Sequence, residues 1–289
     1  MAIPDDDTRV TYPDGDTAST GTVLHVEPLD GGRVGVILDR TAFHPVDTAW
    51  PDQPADRGRL RFADTVAEVV DAVTGGIHEG VLRVGADLPV RMATEGWTFV
   101  VVHILEGDAP AVGDRVDVEV DAAHRTALSI GHTACHLASL ALDAALADAW
   151  TKPVGTDAFG NPGFDAAAIQ TSRIHPHGSV DVYRIGKSLR RKGFTATALD
   201  DMAAVEARAN ALLTAWAEAG GPVHIRRDDD RISARRTWVC ESAAGTAEIP
   251  CGGTHTTDLH QLRGIAVTLE TVDVVGGREV TMTTTVPAV

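Results

Sequence analysis

The 289-residue chain has few cysteines, few lysines and no long apolar run, and each shortage excludes a class of protein. Its three cysteines are odd in number and too few for a disulfide framework, so we expect reduced thiols. No stretch approaches the roughly 20 consecutive apolar residues of a membrane helix. The acidic N-terminal stretch lacks the basic and apolar regions of a signal peptide. We therefore predict a cytoplasmic protein.

The scarcity of lysine accompanies a net charge of −16, which argues against a nucleic-acid partner, because such proteins usually carry a basic footprint. The densest basic group lies within residues 181–195 and comprises Arg184, Lys187, Arg190, Arg191 and Lys192. A solvated surface explains this group as well as contact with phosphates does. A second basic cluster, within residues 226–236, is interleaved with Asp228–Asp230, so its charges are expected to neutralise one another.

Two short motifs carry the chemistry of the chain. His132 and His136 are four residues apart among strong helix formers, which places both imidazoles on one helix face at a spacing suited to one metal ion. Cys251 and His255 flank a Gly-Gly-Thr turn further along the chain. Three imidazoles and a thiolate form a ligand set typical of zinc. The alternative is a buried, hydrogen-bonded histidine pair. The other cysteines, Cys135 and Cys240, fit ordinary packing.

These motifs, HTACHL and PCGGTH, resemble the editing domain of alanyl-tRNA synthetase and its free-standing relatives, the AlaX-like alanyl-tRNA editing proteins. An upstream stretch, residues 36–45, is similar to the LDxTxFYP segment of the family's N-terminal barrel. The resemblance implies one zinc site that hydrolyses mischarged aminoacyl-tRNA, with His132, His136, Cys251 and His255 as ligands. It also implies that Thr41 and Gln53 face the zinc pocket as catalytic residues.

The loop at residues 44–60 departs from the family pattern, because the usual GGGQ-type glycines are replaced. One interpretation is a tolerated surface loop. The other is a pocket that accepts a side chain other than the family's usual serine.

We predict an α+β fold in two domains. Short apolar runs separated by turn signals predict a small β-barrel over residues 1–120. The resemblance implies that residues 121–289 form an α+β editing domain, similar to the second additional domain of threonyl- and alanyl-tRNA synthetases. Within it, one helix is predicted to reach about Trp150 and an amphipathic helix to span residues 199–219. Residues 151–178 are predicted to be an irregular excursion.

The resulting hypothesis is a trans-acting, zinc-dependent aminoacyl-tRNA deacylase, monomeric or homodimeric, with aminoacylated tRNA as its partner. By resemblance the default substrate is seryl-tRNA(Ala), and the altered loop leaves a threonine-like or fluorinated threonine ester open. Two alternatives remain at this point. One is a zinc metallohydrolase of a small amide or ester, and the other is a non-catalytic tRNA-binding module with a structural zinc.

Overall fold

The computed structural model describes residues 3–288 and is an α+β fold built mainly of strands. The chain divides into two compact units. Unit 1 contains Met1–Thr126, Ile225–Arg236 and Gly252–Thr254, and unit 2 contains Ala127–His224, Thr237–Cys251 and His255–Val289. Among the helices of residues 3–288, none combines the length and the apolar character needed to cross a bilayer.

Unit 1 contains nine strands in chain order: β1 Arg9–Val10, β2 Ala18–Pro28, β3 Arg33–Leu38, β4 Arg40–Thr41, β5 Gly58–Phe62, β6 Thr65–His78, β7 Val81–Val84, β8 Thr98–Glu106 and β9 Arg115–Val120. Seven of them form one sheet in the order β5-β9-β2-β3-β8-β6-β7, and β5 also pairs with β6. The two short strands β1 and β4 pair in parallel.

The strands of unit 1 follow two patterns: β8 is buried almost throughout, whereas β9 alternates between a buried and an outward face. In β9, the buried valines are Val116, Val118 and Val120, and the residues between them are more exposed. The apolar interior to which these valines belong is completed by other fully buried side chains, including Val36, Leu38, Phe43, Leu60, Phe99, Val101 and Leu105.

The first helix, α1, spans Ala122–Ala145, and the chain passes from unit 1 to unit 2 within it. It begins where it does because the Asp121 carboxylate accepts hydrogen bonds from the backbone N–H groups of Ala123 and His124, both at 3.0 Å. The helix ends five residues before the predicted Trp150, and a 3-10 turn at Ala147–Ala149 follows it.

After α1 the chain continues with α2 Phe164–Ala168, β10 Ile169–His175, β11 Gly178–Ile185, α3 Lys187–Arg191, α4 Met202–Ala219, β12 Val223–Arg227, β13 Arg236–Ser242, β14 Gly245–Pro250, β15 Ala266–Val274 and β16 Gly277–Thr285. Strands β10, β11, β16 and β15 form an antiparallel sheet in that order. Strands β13 and β14 form a hairpin in which Thr237 lies opposite Pro250. The chain joins the two units again within β12 and at the start of β13.

The prediction of an irregular excursion over residues 151–178 is wrong, because this stretch contains α2 and β10. Strand β10 is stabilised by pairing with β11, from His175 opposite Gly178 back to Ile169 opposite Tyr183. The glycines and prolines that suggested a loop lie before α2 and in the turn between the two strands.

Helix α4 begins at Met202 rather than at Leu199, because the Asp201 side chain accepts a hydrogen bond from the backbone N–H of Ala204. It packs along β15, where the Asn210 amide donates to the Val267 carbonyl at 2.9 Å. Gly131 lets α1 approach the β10–β11 turn, because a Cβ there would lie 2.3 Å from the His175 carbonyl oxygen. The histidines of α1 are therefore placed on a helix that is tightly packed on the sheet.

Candidate metal centre

Four predicted ligands converge within unit 2: His132, His136, Cys251 and His255. One nitrogen from each imidazole and the thiol sulfur all lie within 4.8 Å of one another. His132 and His136 come from successive turns of α1, and their ring centroids are 4.8 Å apart. Cys251 follows β14 directly, so the hairpin fixes the point at which its side chain leaves the sheet. The cluster can hold a metal ion.

The spacing of the cluster suits a tetrahedral ion. The Cys251 Sγ lies 3.4 Å from the His132 Nε2 and 3.3 Å from the His255 Nε2. A zinc ion with bonds of about 2.0–2.1 Å to nitrogen and about 2.3 Å to sulfur separates neighbouring ligand atoms by roughly 3.4–3.6 Å. The Cys251 sulfur is therefore already near the separation from two of the imidazole nitrogens that one ion would impose.

His136 provides an independent observation in favour of a bound ion. Its Nε2 is buried and has no hydrogen-bond partner among the residues that the structure describes. Burial lowers the pKa of His136 to about 4, so the ring is neutral at physiological pH and carries a lone pair. An unpaired buried polar atom costs roughly 1–3 kcal/mol, a cost that coordination to a metal would remove.

Trp238 of β13 forms an apolar wall beside the cluster. Its indole is fully buried, 5.0 Å from the His136 ring and 5.9 Å from the His255 ring between centroids. This wall shields one side of the imidazoles from water. The sequence offered no signal for this role, because Trp238 reads there as one more apolar residue of a strand.

The other two cysteines lie outside the cluster, as predicted. The Cys135 thiol faces away from His136 and donates towards the Asp181 carboxylate at 3.5 Å. Burial raises the pKa of Cys135 well above its usual value, and burial raises that of Cys240 to about 12. Both side chains therefore stay protonated thiols, which do not bind zinc.

Thr41 lies in unit 1 with its hydroxyl committed to other groups. The His103 Nδ1 lies 3.0 Å from the Val36 carbonyl oxygen, to which it can only donate, so the His103 Nε2 accepts from the Thr41 hydroxyl at 2.8 Å. The Thr41 oxygen in turn accepts from the backbone N–H of Phe43 at 3.1 Å.

Gln53, also in unit 1, forms a reciprocal pair of hydrogen bonds with Thr254. Its amide nitrogen donates to the Thr254 hydroxyl at 2.9 Å, and its amide oxygen accepts from the Thr254 backbone N–H at 3.1 Å. The Tyr12 hydroxyl donates to the Gly252 carbonyl oxygen at 3.0 Å within the same unit. These bonds hold the three residues that separate Cys251 from His255 along the chain.

The predicted basic group splits into one paired and four exposed side chains. Arg184 on β11 forms an ion pair with Glu279 at 2.9 Å and also donates to the Val275 carbonyl. The other four side chains are exposed on and directly after α3: Lys187, Arg190, Arg191 and Lys192. Within residues 3–288, no carboxylate forms an ion pair with any of these four.

A cavity of about 480 Å³ in unit 2 shares structural elements with the cluster. Ser139 and Asp143 line it from α1, beginning three residues after His136, and Pro250 lines it immediately before Cys251. Burial raises the pKa of Asp143 to about 8, so the wall is less acidic than the sequence indicates. Lys192 also lines this cavity. The sequence did not predict this cavity, because its walls come from five separate stretches of the chain.

No family model matches the chain. Parts of the chain are similar to several alanine–tRNA ligases. The ligase of Caldivirga maquilingensis is 36% identical over 102 residues, which is 35% of this chain and 9% of the ligase. That of Pyrobaculum calidifontis is 39% identical over 102 residues, with the same shares, and that of Parafrankia sp. is 34% identical over 140 residues, 48% of this chain and 13% of the ligase.

The matches cover between 9% and 13% of the length of these relatives. The relationship to alanyl-tRNA synthetase that the two motifs predicted is thereby confirmed.

Proposed function

We propose that the chain is a zinc-dependent deacylase that hydrolyses the ester of mischarged aminoacyl-tRNA. The observation that carries the proposal is the convergence of His132, His136, Cys251 and His255 in a chain related to alanine–tRNA ligases. Zinc is favoured over other ions because a thiolate with three imidazoles is a soft, nitrogen-rich ligand set. Hydrolysis of an ester is a reaction for which zinc is well suited.

When bound, zinc would polarise the ester carbonyl, activate a water molecule, or hold the amino or hydroxyl group of the substrate. The residues of the chain would orient the metal ligands and exclude water from the site. Trp238 keeps one side of the imidazoles dry, and the neutral His136 brings no extra positive charge to the site. An aminoacyl ester is already labile, so modest positioning is enough for catalysis.

Thr41 and Gln53 remain our proposed catalytic residues in unit 1. The Thr41 hydroxyl has already given its hydrogen to His103, which favours a role as an acceptor or as a shape-setting group. Gln53 bonds to Thr254, the residue before His255, which favours a role in positioning the CxxxH segment. For each residue, the proposed role predicts that a substitution lowers the turnover rate while the four-residue cluster still holds the metal.

We propose that the exposed side chains Lys187, Arg190, Arg191 and Lys192 contact tRNA phosphates. Their exposure and their lack of acidic partners within the described residues support this assignment. Arg184 is the weakest member of the predicted group, because Glu279 already neutralises it. A local basic face also reconciles a nucleic-acid partner with a net charge of −16.

The cavity that shares α1 and the end of β14 with the cluster supports a substrate larger than a free amino acid, because about 480 Å³ is the scale of a nucleoside-sized ligand. Seryl-tRNA(Ala) is the default substrate, and the divergent loop at residues 44–60 keeps a threonine-like or fluorinated threonine ester as the second choice. The pairing of β5 with both β9 and β6 supports the small barrel predicted for the N-terminal region.

Two rival functions make different demands on the same cluster. A hydrolase of small amides or esters is favoured by the acidic net charge. A structural zinc in a tRNA-binding module is favoured by the four protein ligands, because a catalytic zinc usually keeps one position open.

The deciding experiment is deacylation of seryl-, glycyl-, alanyl- and threonyl-tRNA and of a fluorothreonyl-tRNA, with and without a chelator. We expect release of one amino acid that stops when zinc is removed and returns when it is restored. A protein that holds zinc and releases none of the five amino acids would contradict the proposal.

A further inference from the structure

Thr133 of α1 is fully buried, and its hydroxyl contacts three groups. The hydroxyl donates to the Ser129 carbonyl oxygen at 2.9 Å and accepts from the Thr256 backbone N–H at 3.1 Å. The His255 Nδ1 lies 3.2 Å from the same oxygen. All four residues belong to unit 2.

The hydrogen atoms of this arrangement can be assigned by counting. A hydroxyl has one hydrogen to donate and two lone pairs that accept. The Ser129 carbonyl can only accept, so it takes the hydroxyl hydrogen, and the Thr256 N–H can only donate, so it occupies one lone pair. One lone pair remains for His255, and the contact is favourable only if the His255 Nδ1 carries a hydrogen.

We infer that Thr133 is a positioning residue that holds neutral His255 as its Nδ1–H tautomer. The His255 Nε2 then has the lone pair, and this is the nitrogen that lies 3.3 Å from the Cys251 Sγ in the cluster. This inference rests on the proposed function, because the tautomer of His255 affects metal binding only if its Nε2 is a ligand. Groups that bind the second nitrogen of a ligating histidine fix both its tautomer and its ring orientation.

Thr133 also fixes the backbone that carries this ligand. Its one hydroxyl bonds to two consecutive residues, the His255 ring and the Thr256 backbone, so the ring cannot turn without giving up a bond. Helix α1 therefore contributes more than His132 and His136. It provides two ligands and orients a third that comes from a distant part of the sequence.

The test compares Thr133→Val, which keeps the shape and removes the hydroxyl, with Thr133→Ser, which keeps the hydroxyl. Zinc affinity is measured by competition with a chromophoric chelator. Loss of such an outer partner typically weakens metal binding by about 10–100-fold, so we expect that loss in Thr133→Val. Thr133→Ser should stay within about threefold of the wild type, because the serine oxygen can bond to all three groups.

The second readout is independent of zinc and of activity. Nitrogen-15 NMR of the metal-free wild-type protein at pH 8 reports which nitrogen of each histidine carries the hydrogen, and His255→Gln identifies the signal. We expect an Nδ1–H tautomer for His255 in the wild type and in Thr133→Ser, and an Nε2–H form or a mixture in Thr133→Val.

A wild-type His255 in the Nε2–H form would overturn the inference, and so would unchanged zinc affinity and tautomer in Thr133→Val. If Thr133→Val fails to fold, the wild-type spectrum still decides the tautomer. If the wild type binds no zinc, the proposed metal centre fails, while the spectrum separately accepts or rejects the role of Thr133.

Discussion

Two histidines with buried ring nitrogens, His103 in unit 1 and the half-buried His136 in unit 2, differ in how these nitrogens are satisfied. Burial lowers the pKa of each to about 4, so both rings are neutral. Both nitrogens of His103 have partners, one at the Val36 carbonyl and the other at the Thr41 hydroxyl. The His136 Nε2 has no hydrogen-bond partner among residues 3–288, and the His136 ring belongs to a cluster with two other imidazoles and a thiol.

The comparison shows that a perturbed pKa does not identify a functional histidine. Desolvation shifts both rings alike, because it depends on burial and not on purpose. What distinguishes them is an accounting of hydrogen bonds. A histidine with both nitrogens bonded stabilises the fold, whereas a buried nitrogen without a partner is costly unless something else binds it.

The basic side chains also differ in whether the protein itself supplies a partner for them. Arg184 has its partner within unit 2, in Glu279. Arg190 and Arg191 on α3 are exposed, and no carboxylate within the described part of the chain forms an ion pair with them. An exposed guanidinium without an acidic partner is therefore a better candidate for contact with a phosphate than one that is already neutralised.

The largest expected effect tests whether the four-residue cluster of unit 2 binds metal. Structural zinc contributes about 10–16 kcal/mol over four ligands, so removing one should weaken zinc binding by about 100-fold or more. We expect this loss in His136→Ala and in Cys251→Ala, together with loss of deacylation. Zinc content and chelator competition measure it.

Cys135→Ala is the matched control, since Cys135 lies on the same helix as His136 and bonds to Asp181 instead. It should keep one zinc per chain. Zinc loss in Cys135→Ala, or zinc retained in Cys251→Ala, would reverse the assignment.

The next effect tests whether His103 is structural. His103→Ala removes the acceptor of the Thr41 hydroxyl hydrogen and the side-chain donor to the Val36 carbonyl, and it opens a cavity. We therefore expect it to lower the free energy of unfolding by about 3 kcal/mol. In the metal-free protein, His136→Ala should change the free energy of unfolding by only about 1 kcal/mol, because removing an unpaired nitrogen offsets the poorer packing. Urea unfolding of both variants measures the difference, and equal losses would contradict the comparison.

A smaller effect concerns pH. The pKa of His103 is lowered from 6.5 to about 4, so between these values the unfolded chain binds a proton that the native protein does not. Stability from this group therefore rises with pH through that window and is lost as the pH falls. Lowering the pH from 7 to 5 should cost the wild type about 2 kcal/mol more than His103→Gln, measured by urea unfolding at each pH.

His44 also lowers the stability of the native protein as the pH falls, because burial lowers its pKa to about 4. It is present in both the wild type and His103→Gln. The Asp143 carboxyl, with its pKa raised to about 8, acts in the opposite direction and is also common to both. These contributions cancel in the comparison. Identical pH profiles for the wild type and His103→Gln would show that His103 titrates normally.

The smallest effect concerns tRNA. Replacing Arg190 and Arg191 with alanine should reduce the slope of log affinity against log salt concentration by about 1–2, roughly one for each phosphate that is no longer neutralised. Arg184→Ala, the paired control, should leave the slope unchanged. A slope that falls in the control and not in the double variant would mean that the tRNA-binding face lies elsewhere.

The sequence predicted the four residues of the cluster because their spacing is local: a four-residue interval on a helix and a four-residue interval around a glycine turn. It could not predict Thr133 or Trp238 as neighbours of those ligands. Their roles depend on long-range contacts, such as the bond between α1 and Thr256 across more than a hundred residues. A threonine in a helix and a tryptophan in a strand carry no signal of such contacts.

Like the site, the fold could be predicted from the sequence only where its signals are local. Valines alternate with polar residues over residues 115–120, and this local pattern predicts a strand with the limits of β9. Strand β10 alternates weakly and is stabilised by pairing with β11. Pairing across a sheet lies outside any local pattern, and this is why the sequence predicts an irregular excursion where β10 lies.

The central claim is that three imidazole nitrogens and one thiolate of unit 2 bind a single zinc ion. X-ray absorption at the zinc edge of the zinc-loaded protein tests it most directly. The account predicts nitrogen neighbours at about 2.0–2.1 Å and one sulfur at about 2.3 Å, with the sulfur lost in Cys251→Ser. A zinc environment without sulfur, or one unchanged by Cys251→Ser, would contradict it.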